Sequence, residues 1–171
     1  MNYAQVYSAL HANPKHFLGL TCLRYEKDIG ELIRLYGARQ LLDYGCGKGH
    51  QYGQHRVHER WGVERPVCYD PGVPQFAKRP EGKFDGVLCV DVLEHIEEPD
   101  LPEILRDLIS LAKPGGFIFL GICCRPSRKK LPDGRSVHVT VHPPSWWFKL
   151  FMREWGADGR WPAGVAAEFE E

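Results

Sequence analysis

Leu41-Leu42-Asp43-Tyr44-Gly45-Cys46-Gly47-Lys48-Gly49 is the stretch whose reading decides the fold. An apolar pair runs into an acid, and three glycines follow at alternate positions. The spacing predicts a buried strand that stops abruptly, with a Gly-rich turn opening toward a helix. Glycine suits such a turn because backbone can approach a ligand with no Cβ in the way and can take φ > 0. By itself the pattern fits a plain strand-to-helix turn as well as a nucleotide cradle.

Downstream, Pro66-Val67-Cys68-Tyr69-Asp70 reads as a second strand ending in an acid. That acid falls about 20 residues past the glycines, where nucleotide folds accept hydrogen bonds from ribose hydroxyls. Pro71–Lys83 carries Pro71, Pro74 and Pro80 and is too short and proline-rich for a helix and a further strand. Phe84-Asp85-Gly86-Val87-Leu88-Cys89-Val90-Asp91-Val92-Leu93-Glu94-His95-Ile96 is a continuous apolar strand, buried on both faces, that ends in acids and a histidine. Asp100 is placed to cap a helix to about Ala112, with Leu101, Ile104, Leu105, Leu108 and Leu111 facing the sheet. Lys113-Pro114-Gly115-Gly116 predicts a sharp turn, and Phe117–Cys123 another buried strand.

Upstream, helical spacing predicts one helix over Tyr3–Ala12, ended by Asn13-Pro14. A second covers about Cys22–Leu35, with Leu23, Ile29, Leu32, Ile33 and Leu35 on its apolar face and Gly37 as its stop. Gly49 to about Arg60 reads as the crossover helix after the first strand. His55 and His58 lie one turn apart in it, a spacing that can hold a metal. No third ligand accompanies them, and Arg56, Glu59 and Arg60 mark a wet face, so no metal is expected. Toward the C-terminus, Arg125–Arg135 is a basic loop and Ser136–His142 alternates, with Val137, Val139 and Val141 on one side. Trp146 to about Glu154 reads as an amphipathic helix, and one short strand falls near Val165–Phe169.

The whole chain of 171 residues suits one domain. It divides into an arm (1–36), a core (37–124) and a C-terminal part (125–171). Lys+Arg and Asp+Glu are both 22, so nothing in the total charge points to nucleic acid. No apolar run approaches the roughly 20 residues that span a bilayer. Met1–Leu10 lacks the basic start and apolar core of a signal peptide, and a cytoplasmic location is expected. The six cysteines form no Cys-x-x-Cys pair and read as buried, reduced thiols.

Three segments together resemble the class I S-adenosylmethionine-dependent methyltransferases. They are the acid followed by Gly-x-Gly-x-Gly, the Asp-Val-Leu-Glu-His run after the apolar strand, and Leu-x-Lys-Pro-Gly-Gly before the next strand. They stand in the family's order and cover about residues 41 to 123. The resemblance implies an α/β fold: a single Rossmann-like domain with a mostly parallel sheet and helices on both faces. It is shortened after the second strand, and its C-terminal end is abbreviated against the family's seven-stranded sheet. The implied cofactor is S-adenosylmethionine, with S-adenosylhomocysteine as product.

In parallel sheets ligands bind outside the carboxyl ends of the strands, which brings the motifs to one rim. The resemblance then assigns cofactor contacts to Asp43, Tyr44, Gly45, Cys46, Gly47 and Gly49. Asp70 would take the ribose with Pro71 beside it, Phe76 would stand in for the missing adenine contact, and Asp91, Val92 and Leu93 would separate cofactor from acceptor. His95 is the first candidate for a base and His138 the second. Glu94, Arg125, Arg128 and Arg135 are expected to meet the acceptor. Cationic residues on a ligand rim favour a small anionic acceptor, methylated on N or O. Tyr3, Tyr7, Phe17 and Tyr25 either cap the core or fold over the cofactor as a lid. Two other classes fit parts of the pattern: a non-catalytic S-adenosylmethionine- or nucleotide-binding protein, and a nicotinamide-dependent oxidoreductase. The second calls for Gly-x-Gly-x-x-Gly, whereas this chain has Gly-Cys-Gly-Lys-Gly.

Overall fold

The structure is a computed structural model that describes residues 7, 8, 10–156 and 164–170. Five strands, β1 (Leu41–Tyr44), β2 (Val67–Tyr69), β3 (Phe84–Val90), β4 (Ala112–Cys123) and β5 (Gly164–Glu170), form one sheet in the order β2-β1-β3-β4-β5. Every pairing is parallel. Successive side chains on a strand point to opposite faces, and here both faces are covered. Val87 and Cys89 of β3 join one apolar cluster with Ile118 and Leu120, while Leu88 and Val90 join the other with Phe117 and Phe119. That double burial explains why β3 reads as an unbroken apolar run.

Helix α1 (Glu26–Tyr36) covers one face through Ile29 and Ile33. It stops at Gly37, whose φ of 59° is left-handed and whose N–H closes the last turn. Leu35, expected on the apolar face, is instead exposed. The residues just before α1 form a separate 3-10 turn, Thr21–Tyr25. The other face is covered by α4 (Leu101–Leu111) and α5 (Pro144–Phe151), with Trp147 and Trp155 buried between them and the sheet. Asp100 stands at the N-cap of α4 but makes no side-chain capping bond.

The single crossover helix expected after β1 is two short ones, α2 (His50–Gly53) and α3 (Val57–Trp61). Arg56 between them has φ 50°, a left-handed conformation that an α-helix cannot pass through. The proline-rich segment after β2 carries only a 3-10 turn, Pro74–Phe76, so β2 is an edge strand of the sheet. The expected turn at Lys113–Gly116 lies inside β4 as an excursion. The pairing passes from Phe84–Ala112 to Gly86–Phe117 across it. Ser136–His142 is not a two-faced strand. Val137 and Thr140 are buried, because Thr140 Oγ1 donates to Ile96 O at 2.6 Å and its N–H to Glu94 O. α5 passes at Met152–Gly156 into a π-helical turn. The tail strand expected near Val165–Phe169 is β5. The helix expected over Tyr3–Ala12 falls partly outside the described residues, of which 7, 8, 10 and 11 are helical.

Gly86 sits where β3 crosses between β1 and β4. A Cβ there would stand 2.5 Å from the Phe117 ring and 2.7 Å from Leu41 Cδ2. Gly86→Ala is expected to destabilise the fold by about 1–3 kcal/mol through overpacking, measured as a lower midpoint in urea unfolding.

Candidate active site

The glycine loop is held from three sides. Gly45 and Cys46 donate their N–H groups to Tyr69 O of β2 at 2.7 and 3.1 Å. A Cβ on Gly45 would meet Val92 Cγ2 at 2.2 Å, and one on Gly47 would meet Phe17 O at 2.5 Å. Both glycines have positive φ, 82° and 55°. The arm runs along the loop: Lys48, His50 and Gln51 donate N–H to Phe17 O, Leu18 O and Gly19 O at 3.0, 3.1 and 2.8 Å. Lys48 Nζ fastens the same arm, donating to Asn13 O and His16 O.

A cavity of about 750 Å³ opens at the carboxyl ends of β1, β2 and β3 and is roofed by the arm. From the sheet it is lined by Tyr44, Gly45, Gly47, Asp70, Pro71, Asp91, Val92 and His95, and from the C-terminal part by His138. The arm supplies Tyr7 and Phe17, so two of the aromatic residues flagged as a possible lid do face the cavity. Tyr25 packs on Phe119 of β4, and Tyr3 lies outside the described residues.

Asp70 is buried at the cavity wall. Its Oδ2 accepts from Gly47 N–H and its Oδ1 from Gly72 N–H, both at 2.9 Å. His11 Nε2 stands 3.6 Å from Oδ1. Burial holds the His11 pKa below the usual imidazole value, against the pull of Asp70. Asp91 has φ 54°. Its Oδ2 takes Arg24 Nη2 at 2.5 Å, while Oδ1 is buried with no partner. Desolvation raises its pKa and the Arg24 charge opposes the rise. Arg24 also reaches Glu170 Oε1 at 2.5 Å and so ties the ends of β3 and β5 together.

His95 is buried at the edge of the cavity. Its Nδ1 lies 2.9 Å from Val137 O, which assigns the ring proton to Nδ1 and a lone pair to Nε2. Tyr7 OH donates to His95 O at 3.1 Å. Desolvation, then the neighbouring His138, pushes the His95 pKa down to about 3, so the ring is neutral at ordinary pH. The His138 ring meets it edge-on with centroids 4.9 Å apart, and His138 Nδ1 is 2.7 Å from Arg125 O.

Several expected contacts lie elsewhere. Asp43 is fully enclosed behind the loop, where Oδ2 accepts from Gln51 Nε2 at 2.6 Å. Cys46 is buried beside it with its thiol toward Gly47 O, and the neighbouring Cys68, then desolvation, pushes its thiol pKa up. The Gly49 Cβ direction faces the Phe76 ring at 3.4 Å, which puts both outside the cavity. Leu93 is a core residue. Glu94 is fully buried: Oε1 accepts from Cys123 N–H at 3.0 Å, and Oε2 has no partner. Its pKa is raised to about 8 by desolvation, then by Asp91. Glu94 therefore fastens the end of β4 and does not line the cavity. Arg125 reaches Glu170 at 3.3 Å, and Arg135 pairs with Glu97 and Asp133 at 2.8 Å each. Those two guanidiniums are engaged at the surface, and exposed Arg128 does not line the cavity either.

Sequence reasoning placed Lys129 in the basic loop on the ligand rim but passed over Lys15, and both line the cavity. It also passed over a group that could hold a metal. Glu94, His95 and His138 offer a carboxylate oxygen and two ring nitrogens within 4.8 Å of one another. Both imidazoles have Nδ1 engaged by a backbone carbonyl, the usual way a ligating ring is oriented. Only the adjacency of Glu94 and His95 was visible in the sequence; His138 arrives from the loop after β4.

A family model described as a methyltransferase domain matches residues 16–161. A ubiquinone biosynthesis O-methyltransferase of Xanthomonas oryzae pv. oryzae is 33% identical over 127 residues, covering 63% of this chain and 51% of the relative. One of Aeromonas salmonicida is 31% identical over 106 residues, covering 50% and 43%. The chain thus spans about half the length of these curated relatives. Among solved structures, an O-methyltransferase family protein from Burkholderia thailandensis superposes with a TM-score of 0.58 at 16% identity, covering 86% of this chain and 53% of that one. A DhpI–SAH complex superposes with a TM-score of 0.53 at 16% identity, covering 87% and 85%. Both structures share the fold.

Desolvation raises the buried Asp43 carboxyl to about pH 7, against roughly 3.9 in an unfolded chain. The folded state therefore keeps a proton that the unfolded state releases across that window. The stability this contributes is present below about pH 4 and is lost as pH rises through 7. Asp43→Asn keeps an acceptor for Gln51 without the buried charge. Its melting temperature relative to the parent chain should climb by at least about 2 °C between pH 5 and pH 8. Parallel melting curves across that range check the sign.

Proposed function

The chain belongs to the methyltransferase-domain family, and from that premise we propose that it moves the methyl group of S-adenosylmethionine to an oxygen or nitrogen of a small anionic molecule. The O-methyltransferase names of its relatives favour oxygen. The observation that carries the reading is one cavity holding the faces of Gly45 and Gly47, the Asp70 carboxylate and the His95 ring. In this reading Asp70, already fixed by two backbone N–H groups, uses its remaining lone pairs on the ribose hydroxyls. Gly45, Gly47 and Asp91 border the methionine end.

The chemistry asks mainly for alignment. A lone pair of the acceptor attacks the methyl carbon in line with the carbon–sulfur bond. The new bond to carbon forms as the old one breaks, and its electron pair passes to sulfur to give S-adenosylhomocysteine. Holding the two reactants in that geometry supplies much of the rate. A hydroxyl acceptor also gives up its proton. The His95 lone pair on Nε2 can accept the hydrogen bond of that hydroxyl and aim its oxygen. A ring with a pKa near 3 does not retain the proton, which goes on to water. His138 stands beside it as a second acceptor.

Asp70→Ala removes a charged acceptor from two hydroxyls, each such bond contributing about 1.5–3 kcal/mol. Titration calorimetry should show the affinity for S-adenosylhomocysteine falling by at least about tenfold, and a change under threefold would mean that another group reads the ribose. His95→Ala should lower kcat for methyl transfer from labelled cofactor while leaving cofactor affinity near that of the parent chain. Unchanged turnover would return His95 to a packing role.

A further inference from the structure

We infer that the acceptor end of the cavity is an anion subsite in which Lys129 selects a carboxylate carried on a planar ring. The inference rests on the methyltransferase reading above and names the acceptor's chemical class.

Charge comes first. Lys129 lines the cavity from the loop after β4, with Nζ 4.8 Å from the centroid of the Phe17 ring, and Lys15 lines it from the arm. Among the described residues neither ammonium has a carboxylate at ion-pair distance. The two acids of the cavity wall are already committed, Asp70 to two backbone N–H groups and Asp91 to Arg24. Of the loop's other cations, Arg125 and Arg135 are engaged by Glu170, Glu97 and Asp133. The loop's unneutralised charge on the cavity is therefore concentrated at Lys129. Such a point charge raises the local concentration of anions. A single ammonium, a compact point charge, balances the one charge of a carboxylate and leaves a doubly charged phosphate half neutralised.

Shape comes second. Tyr7, Phe17 and His95 stand roughly edge-on to one another. Their centroids are 6.0 Å apart for Tyr7–Phe17, 5.7 Å for Phe17–His95 and 5.5 Å for Tyr7–His95, with interplanar angles of 73°, 76° and 88°. Three mutually steep rings make an apolar corner that a flat ring can fill by edge-to-face contact. Phe17 is held there by its own backbone: φ is 47°, and its carbonyl accepts from Lys48 N–H. The ammonium of Lys129 lies over that same ring, so a planar acid in the corner meets charge and aromatic surface together.

The test is equilibrium binding to the whole chain saturated with S-adenosylhomocysteine. The probes are 3-hydroxybenzoate, its neutral isostere 3-hydroxybenzamide, and phenylphosphonate. The benzoate should bind at least about tenfold tighter than the amide, and the margin should shrink as salt screens the ammonium. Lys129→Met keeps the aliphatic stem against Phe17 and should erase the margin, while Lys129→Arg should retain most of it. Position 129 is exposed and away from the core, and S-adenosylhomocysteine should bind the parent and Lys129→Met equally. Equal binding of acid and amide by the parent chain overturns the inference, as does a margin that survives Lys129→Met. Tighter binding of phenylphosphonate than of the benzoate overturns the choice of carboxylate. Normal cofactor binding in any of those outcomes leaves the methyltransferase reading standing. Failure of S-adenosylhomocysteine to bind the parent chain brings down both.

Discussion

The close approach of other chain segments to the glycine loop is the constraint on which the site depends. Val92, after β3, fills the space where a Gly45 Cβ would stand, and the Phe17 carbonyl of the arm fills the space beside Gly47. The glycines are therefore required by the protein's own packing, before any ligand is considered. The arm does a second thing there. Its carbonyls at Phe17, Leu18 and Gly19 take N–H groups from Lys48, His50 and Gln51. The start of a helix has N–H groups without intrahelical partners, which often serve as an anion cradle. Here the arm occupies those on one side, so the surface left to a ligand is the side of Gly45 and Gly47 that faces the cavity.

Around that loop, each strand end presents an acid that something else holds in place. Asp43 in β1 is held by Gln51, Asp70 after β2 by the N–H groups of Gly47 and Gly72, and Asp91 after β3 by Arg24. Desolvation raises the proton affinity of Asp43 and Asp91. Arg24 is the link between this set and the far edge of the sheet, because it holds Asp91 and Glu170 at once. These strand-end acids are thus held by an amide, by backbone N–H groups or by a guanidinium. Among the described residues, the cations on the cavity with no carboxylate at ion-pair distance are Lys15 and Lys129, on the arm and the opposing loop.

The core was legible because burial on both faces leaves a run of apolar residues that no other element imitates. Phe84–Val90 and Phe117–Cys123 are of that kind, and the Gly37 stop and the β5 strand were equally clear. The break at Arg56 was not, because left-handed φ at a long polar residue leaves no compositional mark. Ser136–His142 misled for a related reason. Alternation suggests a half-buried strand, yet here the Thr140 N–H donates to Glu94 O and its hydroxyl to Ile96 O, which pulls Thr140 inward and leaves the segment irregular. Among site residues, Asp70, Gly45, Gly47 and His95 face the cavity, while Asp43, Leu93 and Glu94, drawn from the same motifs, point into the interior. A motif marks a stretch of backbone, and the alternation of side chains along it decides which members reach the ligand.

The two halves of the cavity differ in how they are specified. The half against the glycine loop is built from backbone at strand ends, and backbone conformation imposes residue types at fixed spacing, so it leaves a pattern in the sequence. The other half is built from side chains on segments outside the sheet, Tyr7 and Phe17 on the arm and Lys129 and His138 beyond β4. They lie more than a hundred residues apart in the chain, comparing Phe17 with Lys129, and meet only because the parallel order of β1, β3 and β4 brings both segments to one rim. Nothing local sets Lys129 apart from Arg128 and Lys130, since all three read as one basic run. What distinguishes it is the ring of Phe17 beneath its ammonium. The position of that ring is fixed in turn by the arm's hydrogen bonds to the glycine loop. The half of the cavity lined by Lys129 and Phe17 therefore takes its geometry from the half against the glycine loop, through the arm that joins them.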